Sequence, residues 1–144
     1  MAARRVEIGS GLLAALLGVG GWLWAVFGPT YVAGTYATGP DTPDLTLTSP
    51  GSLAQVHDLG SGPIVYLIAL LVCVVAIGIG AALHGARRVP TGLPILWTAT
   101  AFLVAGVFLS IYTVGPFIGP AAVLAVLASV AGGRADGAAR AQRT

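Results

Sequence analysis

The sequence contains no lysine and few charged residues of any kind. Seven arginines and five acidic residues make up 8% of the 144 residues and give a net charge of +2. A soluble domain carries about 25% charged residues, so a water-soluble globular fold is not favoured. The arginines stand only at the ends of apolar segments. This distribution is typical of residues that set the orientation of membrane segments, and it does not predict a patch that binds nucleic acid.

Cysteine is almost absent as well. Cys73 is the single cysteine and lies inside an apolar run, so an intramolecular disulfide and a cysteine metal site are both excluded. The sequence has no nucleophile elbow, phosphate-binding loop or HExxH motif. The serines at 49, 52 and 61 have no credible base nearby. We therefore expect no catalytic, cofactor-binding or metal-binding residues and no enzymatic activity.

Apolar sequence is what the chain has in abundance. Hydrophobic residues make up 56% of it, and runs of about 20 match the roughly 30 Å hydrocarbon core of a bilayer. The sequence predicts an all-α integral membrane protein with a single membrane domain, residues 1–144. Its four transmembrane helices form an antiparallel bundle, with spans at about 8–28, 63–84, 92–114 and 117–132.

The arginines also predict the orientation of these spans. A four-pass chain collects all of them at one side, in the N-terminal residues, the inner loop 85–91 and the tail 133–144. Positive residues accumulate on the cytoplasmic side, so both termini are expected in the cytoplasm and the protein in the cell membrane. The 34-residue loop 29–62, which holds acids and no arginine, is then extracytoplasmic.

The first segment has an alternative interpretation as a cleaved secretory signal. It has a positive start and small residues at 32–34. Its apolar stretch is longer than the usual core of roughly 7–15 residues, and Val6 and Glu7 follow the Arg4–Arg5 pair where twin-arginine export would require a hydrophobic core. We expect it to be retained as a span.

The outer loop carries a pattern typical of a β-hairpin. Residues 44–48 alternate apolar and polar, residues 49–52 are a turn signal, and residues 53–56 could return as a second strand. The alternative is a disordered polar loop. If the protein has a recognition surface, we expect it here, at Leu45, Leu47, Leu53, Val56, His57 and Asp58.

Small residues recur along the predicted helices at spacings of three and four, which allows close helix approach. The longest series, here called the α1 stripe, is Gly11, Ala14, Gly18, Gly21, Ala25 and Gly28. Shorter series are Ala69, Cys73, Ala76 and Gly80 in the second helix and Ala121, Ala125, Ala128 and Gly132 in the fourth. The α1 stripe could serve packing within one subunit or contact with a partner.

Ionisable residues are confined to the predicted boundaries. Glu7 stands three residues after Arg4, so we expect a solvated interfacial pair, and His84 is expected to be an interfacial anchor at the end of the second helix. His57 and Asp58 could form a pH sensor or half of a metal site, but too few further ligands are available. No ionisable residue is expected at membrane depth.

These observations predict a non-enzymatic polytopic membrane protein that acts as an accessory or interaction subunit. Its expected partners are the lipid bilayer and another membrane protein or further copies of itself. The first alternative is a small homo-oligomeric channel or transporter with a path lined by Thr98, Thr100, Ser110, Tyr112 and Thr113. The second is a membrane sensor that uses the outer loop.

Overall fold

The computed structural model of the chain describes residues 2–29, 34–38, 43–47, 52–53, 61–87, 89–112 and 114–141. This part of the chain contains four long helices: α1 (Ala2–Phe27), α2 (Ser61–Ala81), α3 (Gly92–Leu109) and α4 (Gly115–Ala141). A π-helical turn, Ala82–Ala86, continues α2 and is called the π segment below. Each helix contains a stretch long and apolar enough to cross a membrane, which confirms the predicted number of helices that have the length and apolarity of a span.

Several helix ends differ from the predicted spans. α1 begins at Ala2 rather than Ile8, and α4 runs to Ala141 rather than Gly132. A helix continues wherever the residues favour helical structure, whether or not they are apolar. α3 ends at Leu109, five residues before Val114. There Ser110 leaves the helical conformation, with φ −112° and ψ 26°, while its amide and hydroxyl both donate to the Gly106 carbonyl, at 3.0 and 2.9 Å.

The helices form a ring in chain order. α1 packs against α2 and α4, and α3 packs against the same two helices from the opposite side. The N-termini of α1 and α3 therefore lie beside the C-termini of α2 and α4. We call this the arginine end, because Arg4, Arg5, Arg87 and Arg134 belong to it, and the opposite end the loop end.

The size of the buried side chains differs from one helix of the ring to another. The buried core residues of α1 are alanines and those of α4 are mostly alanines, whereas α2 and α3 contribute most of the larger buried side chains. The small core residues are Ala14, Ala25, Ala121, Ala122, Ala125 and Ala128, and the large ones are Leu70, Val74, Ile77, Leu96, Leu103 and Ile118.

The α1 stripe lies against α2 and α4. A Cβ atom at Gly11 would overlap the Ala81 side chain, one at Gly18 would stand 2.6 Å from Val74 Cγ1, and one at Gly21 would overlap the Phe117 carbonyl group. Ala14 and Ala25 are buried, and Gly28 lies against Trp24 of its own helix. Gly11, Gly18 and Gly21 of the stripe are thus in close contact with the neighbouring helices of the same subunit.

A two-stranded antiparallel sheet lies in the long connection between α1 and α2. β1 (Gly34–Thr38) pairs with β2 (Pro43–Leu47), with Tyr36 opposite Leu45. The strand predicted near 44–48 therefore forms, but its described partner precedes it in the chain, whereas the expected partner was 53–56. Of that expected strand, Leu53 lies in a single 3₁₀ position and residues 54–56 lie outside the described residues.

Neighbouring glycines of α1 test this packing with a matched pair of substitutions. We expect Gly21→Ala to lower the free energy of unfolding by about 1–3 kcal/mol, the typical cost of overpacking, because the Phe117 backbone cannot move aside. Gly20 has no atom within 4 Å of its Cβ position, so Gly20→Ala should be neutral or stabilise by up to about 1 kcal/mol. Equilibrium unfolding in detergent measures both. Equal effects would contradict the described contact of α1 with α4.

A buried glutamate–histidine pair at the arginine end

Glu7 is fully buried, although it is one of the few acidic residues in the chain. Its Oε1 atom lies 2.6 Å from His84 Nδ1, and the His84 side chain is 14% exposed. The expected solvated pair between Glu7 and Arg4 is therefore wrong. His84 lies at the end of α2 as expected, but its ring faces Glu7 and is not a free interfacial anchor.

Arg4 uses its guanidinium elsewhere. Its Nε donates to the Gly85 carbonyl and its Nη2 donates to the Ala86 carbonyl at 2.9 Å. The last carbonyl groups of a helix have no partner within the helix, and a cation there is also favoured by the helix dipole. Arg4 therefore ties the start of α1 to the end of the π segment.

Glycines allow the backbones to meet around the pair. A Cβ atom at Gly132 of α4 would stand 2.9 Å from Glu7 Oε1, and one at Gly85 would overlap the Ile8 side chain. At the start of α3, Gly92 lies against the His84 backbone. Every helix of the ring thus contributes to the wall around Glu7 and His84.

The second carboxylate oxygen is the unusual atom of this site. Glu7 Oε2 is buried and has no hydrogen-bond partner within the described residues. An ionised carboxylate that is buried without full hydrogen bonding is costly, and ionisable residues inside apolar helices are a functional signal by default. π-Helical turns also occur frequently at functional sites. The site is therefore a candidate for chemistry that involves a proton.

The other buried polar side chains satisfy one another or the local backbone. Thr100 of α3 and Ser129 of α4 share a 3.0 Å hydrogen bond between their hydroxyl groups, and Ser129 also bonds to the Ala125 carbonyl at 2.9 Å. Ser110 bonds to its own helix near the loop end. Between these two levels the described core is apolar, so no polar path leads from Glu7 to the loop end.

The remaining predicted sites stay apart from this pair. Apart from Gly11 and Ala14, the α1 stripe follows the bundle toward the loop end. Leu45 and Leu47 lie in β2 and Leu53 follows it, whereas Val56, His57 and Asp58 lie outside the described residues.

One sequence signal could have indicated the burial of Glu7. Glu7 stands four residues before Gly11 and continues the α1 stripe at the same spacing, so it lies on the packed face of α1. His84 likewise stands four residues after Gly80. The neighbour of His84 could not be predicted, because the wider π-helical turn changes the register that a regular helix would give.

A double-mutant cycle measures how strongly the pair is coupled. We expect His84→Ala to lower the free energy of unfolding by about 3 kcal/mol or more, because it leaves a buried carboxylate uncompensated. In a Glu7→Gln background the same change should cost less, with a coupling of about 0.5–3 kcal/mol. Arg5→Gln, at an exposed position of the same helix turn, is the control. Additive effects of Glu7→Gln and His84→Ala would contradict the pairing.

No protein-family model, curated protein or solved structure matches this chain. The roles of Glu7 and His84 are therefore inferred from their own contacts and burial.

Proposed function

We propose that the protein is a non-enzymatic accessory subunit that spans the cell membrane four times and binds a transmembrane helix of another membrane protein. The observation that carries this proposal is a groove between α2 and α3 that remains open on the outside of the bundle. Apart from Glu7, the buried polar side chains of the described residues form hydrogen bonds within the bundle, so the outer surface is the part that we assign to interaction.

The groove has a volume of about 390 Å³ and an apolar lining. Its floor includes small residues of the α2 series, and larger side chains rise at its edges. In lipid, small residues favour helix association because they let backbones approach closely. Packing within the subunit buries Cys73 and Ala76 of the α2 series only partly, whereas Gly11 and Gly18 of the α1 stripe are buried. The groove is lined by Val72, Cys73, Ala76, Pro94, Ile95, Thr98, Ala99 and Phe102.

The outer loop is proposed as a second contact surface. An isolated two-stranded sheet is marginally stable in water, and its outer edges present unpaired backbone groups that can pair with another chain. Within the described residues, β1 and β2 form a sheet of two strands. A partner that lies over the loop end could cover it while its helix occupies the groove.

The alternative of a channel or transporter has less support. Of the polar residues that would line its path, Thr100 and Ser110 are buried in local hydrogen bonds, and Thr98 bonds to the Pro94 carbonyl at 2.8 Å on the exposed face. Tyr112 is 97% exposed, and Thr113 lies outside the described residues. These side chains do not converge on one surface.

The proposed orientation, with the arginine end in the cytoplasm, is tested by single cysteines in a Cys73→Ala background. Gly62 near the loop end and Gly137 near the arginine end are both exposed with nothing within 4 Å of their Cβ positions. We expect a membrane-impermeant maleimide to label Gly62→Cys in intact cells and Gly137→Cys only after permeabilisation. The reverse pattern would overturn the orientation, and labelling of both would overturn the four-pass arrangement.

The groove is tested by filling it. Tagged protein purified in mild detergent should carry a stoichiometric membrane partner, and we expect Ala76→Phe to lower its recovery at least about tenfold, a loss of about 1.4 kcal/mol in binding. Gly20→Phe places the same ring on the outward face of α1, away from the groove, and should retain the partner.

The mass of the native complex distinguishes the outcomes. A partner retained by Ala76→Phe would refute the groove as the contact surface, provided that the variant elutes as a folded bundle. A complex made only of this chain would replace the accessory role with homo-oligomerisation, and flux assays would then follow. A lone monomer in several mild detergents would overturn the interaction proposal.

A further inference from the structure

We propose that Glu7 and His84 form a proton-binding site that couples pH at the arginine end to the attachment of α1 to the π segment. Three observations point to this role. Glu7 and His84 form a buried pair, and the Oε2 atom of Glu7 has no hydrogen-bond partner within the described residues. Arg4 binds the carbonyl groups of Gly85 and Ala86 in the π segment, a contact that we call the Arg4 clamp. The inference concerns the bundle itself and does not depend on a partner.

One proton decides the charge of the pair. With one proton shared between Nδ1 and Oε1, the pair is neutral overall, as an imidazolium–carboxylate or as an imidazole–carboxylic acid. Removal of that proton leaves a neutral imidazole beside a carboxylate, and hence one uncompensated negative charge in a buried site. Burial of such a charge is strongly unfavourable, so the closed site retains one proton.

Arg4 provides the response to proton loss. It stands three residues before Glu7, a spacing at which side chains on a helix are neighbours. A deprotonated Glu7 can therefore recruit the Arg4 guanidinium, which must then leave the carbonyl groups of Gly85 and Ala86. The π segment loses its tie to α1, and water enters to solvate the carboxylate. We call the clamped arrangement the closed form and the released one the open form.

The remaining charged groups at this end are compatible with such a switch. α1 adds Arg5, which is exposed, and the residue after the π segment is Arg87, also exposed. α4 brings Gly132 against the carboxylate and carries Arg134 and Asp136 beyond it, and α3 begins with no titratable residue near Gly92. Among the described residues Glu7 therefore has a single acid–base partner, His84.

His84 also gives the proton a route. Its side chain is 14% exposed, whereas that of Glu7 is 1% exposed, so a proton from the water at the arginine end reaches the imidazole first. Transfer along the 2.6 Å contact then moves it to Oε1 without opening the bundle. No described polar group continues the route toward the loop end, so the site binds a proton and does not conduct it.

The sign of the pH dependence follows from proton counting. The closed form holds one proton at this site, because its buried carboxylate would otherwise be uncompensated, whereas the open form, with the carboxylate solvated and paired with Arg4, can release it. Raising the pH therefore favours the open form, by up to about tenfold in the equilibrium constant per pH unit. At lower pH both forms hold the proton and the equilibrium becomes flat.

Hydrogen exchange in lipid nanodiscs measures this opening. We expect amides of the π segment and Val89, whose amide bonds to the Leu83 carbonyl at 3.0 Å, to lose protection as the pH is raised, by at least about tenfold across the transition after correction for the intrinsic exchange rate. Core amides of α4 at 118–128 should keep their protection. Glu7→Gln, which holds no exchangeable charge, should make the protection of the π segment independent of pH. Asp136→Asn removes a carboxylate at the same end and should leave the dependence unchanged.

A second measurement keeps the proposal testable if Glu7→Gln does not fold. ¹⁵N-labelled histidine in the wild-type protein, assigned with a His57→Gln variant, reports the protonation of His84 directly. Its midpoint should coincide with that of the exchange transition. The proposal is overturned by protection that does not change with pH, by the same dependence in Glu7→Gln, or by a His84 ring that titrates at a different pH from the opening.

Discussion

Close approach of the α1 backbone to α2 and α4 is the constraint on which the rest of the structure depends. Helices this apolar gain little in lipid from burying hydrophobic surface, so contact distance and polar satisfaction must hold them together. Gly11, Gly18 and Gly21 remove the side chains that would keep the backbones apart. Because this face of α1 is occupied internally, the proposed interaction surface lies elsewhere, in the open groove between α2 and α3.

The same close approach gives the two ends of the bundle different chemistry. At the loop end, neutral donors complete the contacts between helices: Trp22 Nε1 bonds to the Leu67 carbonyl at 2.8 Å and the Tyr66 hydroxyl to the Gly106 carbonyl at 2.5 Å. At the arginine end, α1 carries Glu7 into the interior beside His84. A neutral hydrogen bond carries no charge that a proton could change, whereas a buried acid–base pair does, so among these described contacts the proposed response to protons belongs to the arginine end.

Apolarity and helix formation are separate properties, and the ends of α3 and α4 illustrate the difference. The span predicted for α4 ended at Gly132 because apolar residues end there, yet the helix continues through an Ala- and Arg-rich segment to Ala141. The span predicted for α3 extended to Val114 because most of its residues are apolar, yet the helix ends at Leu109, where the backbone of Ser110 leaves the helical conformation. The hydropathy of the sequence therefore predicted where the helices lie, but it did not predict the residues at which they end.

The sequence by itself determined the number of apolar helices, the gathering of arginines at one end and the stripe along α1, because run length and residue spacing are local properties of the chain. Only the tertiary structure decided that Glu7 is buried, that it meets His84, and that Arg4 holds the π segment instead of Glu7. These contacts join residues about 80 positions apart across a π-helical turn. Helical periodicity cannot be carried through such a turn, so the pairing depends on how the helices meet in space.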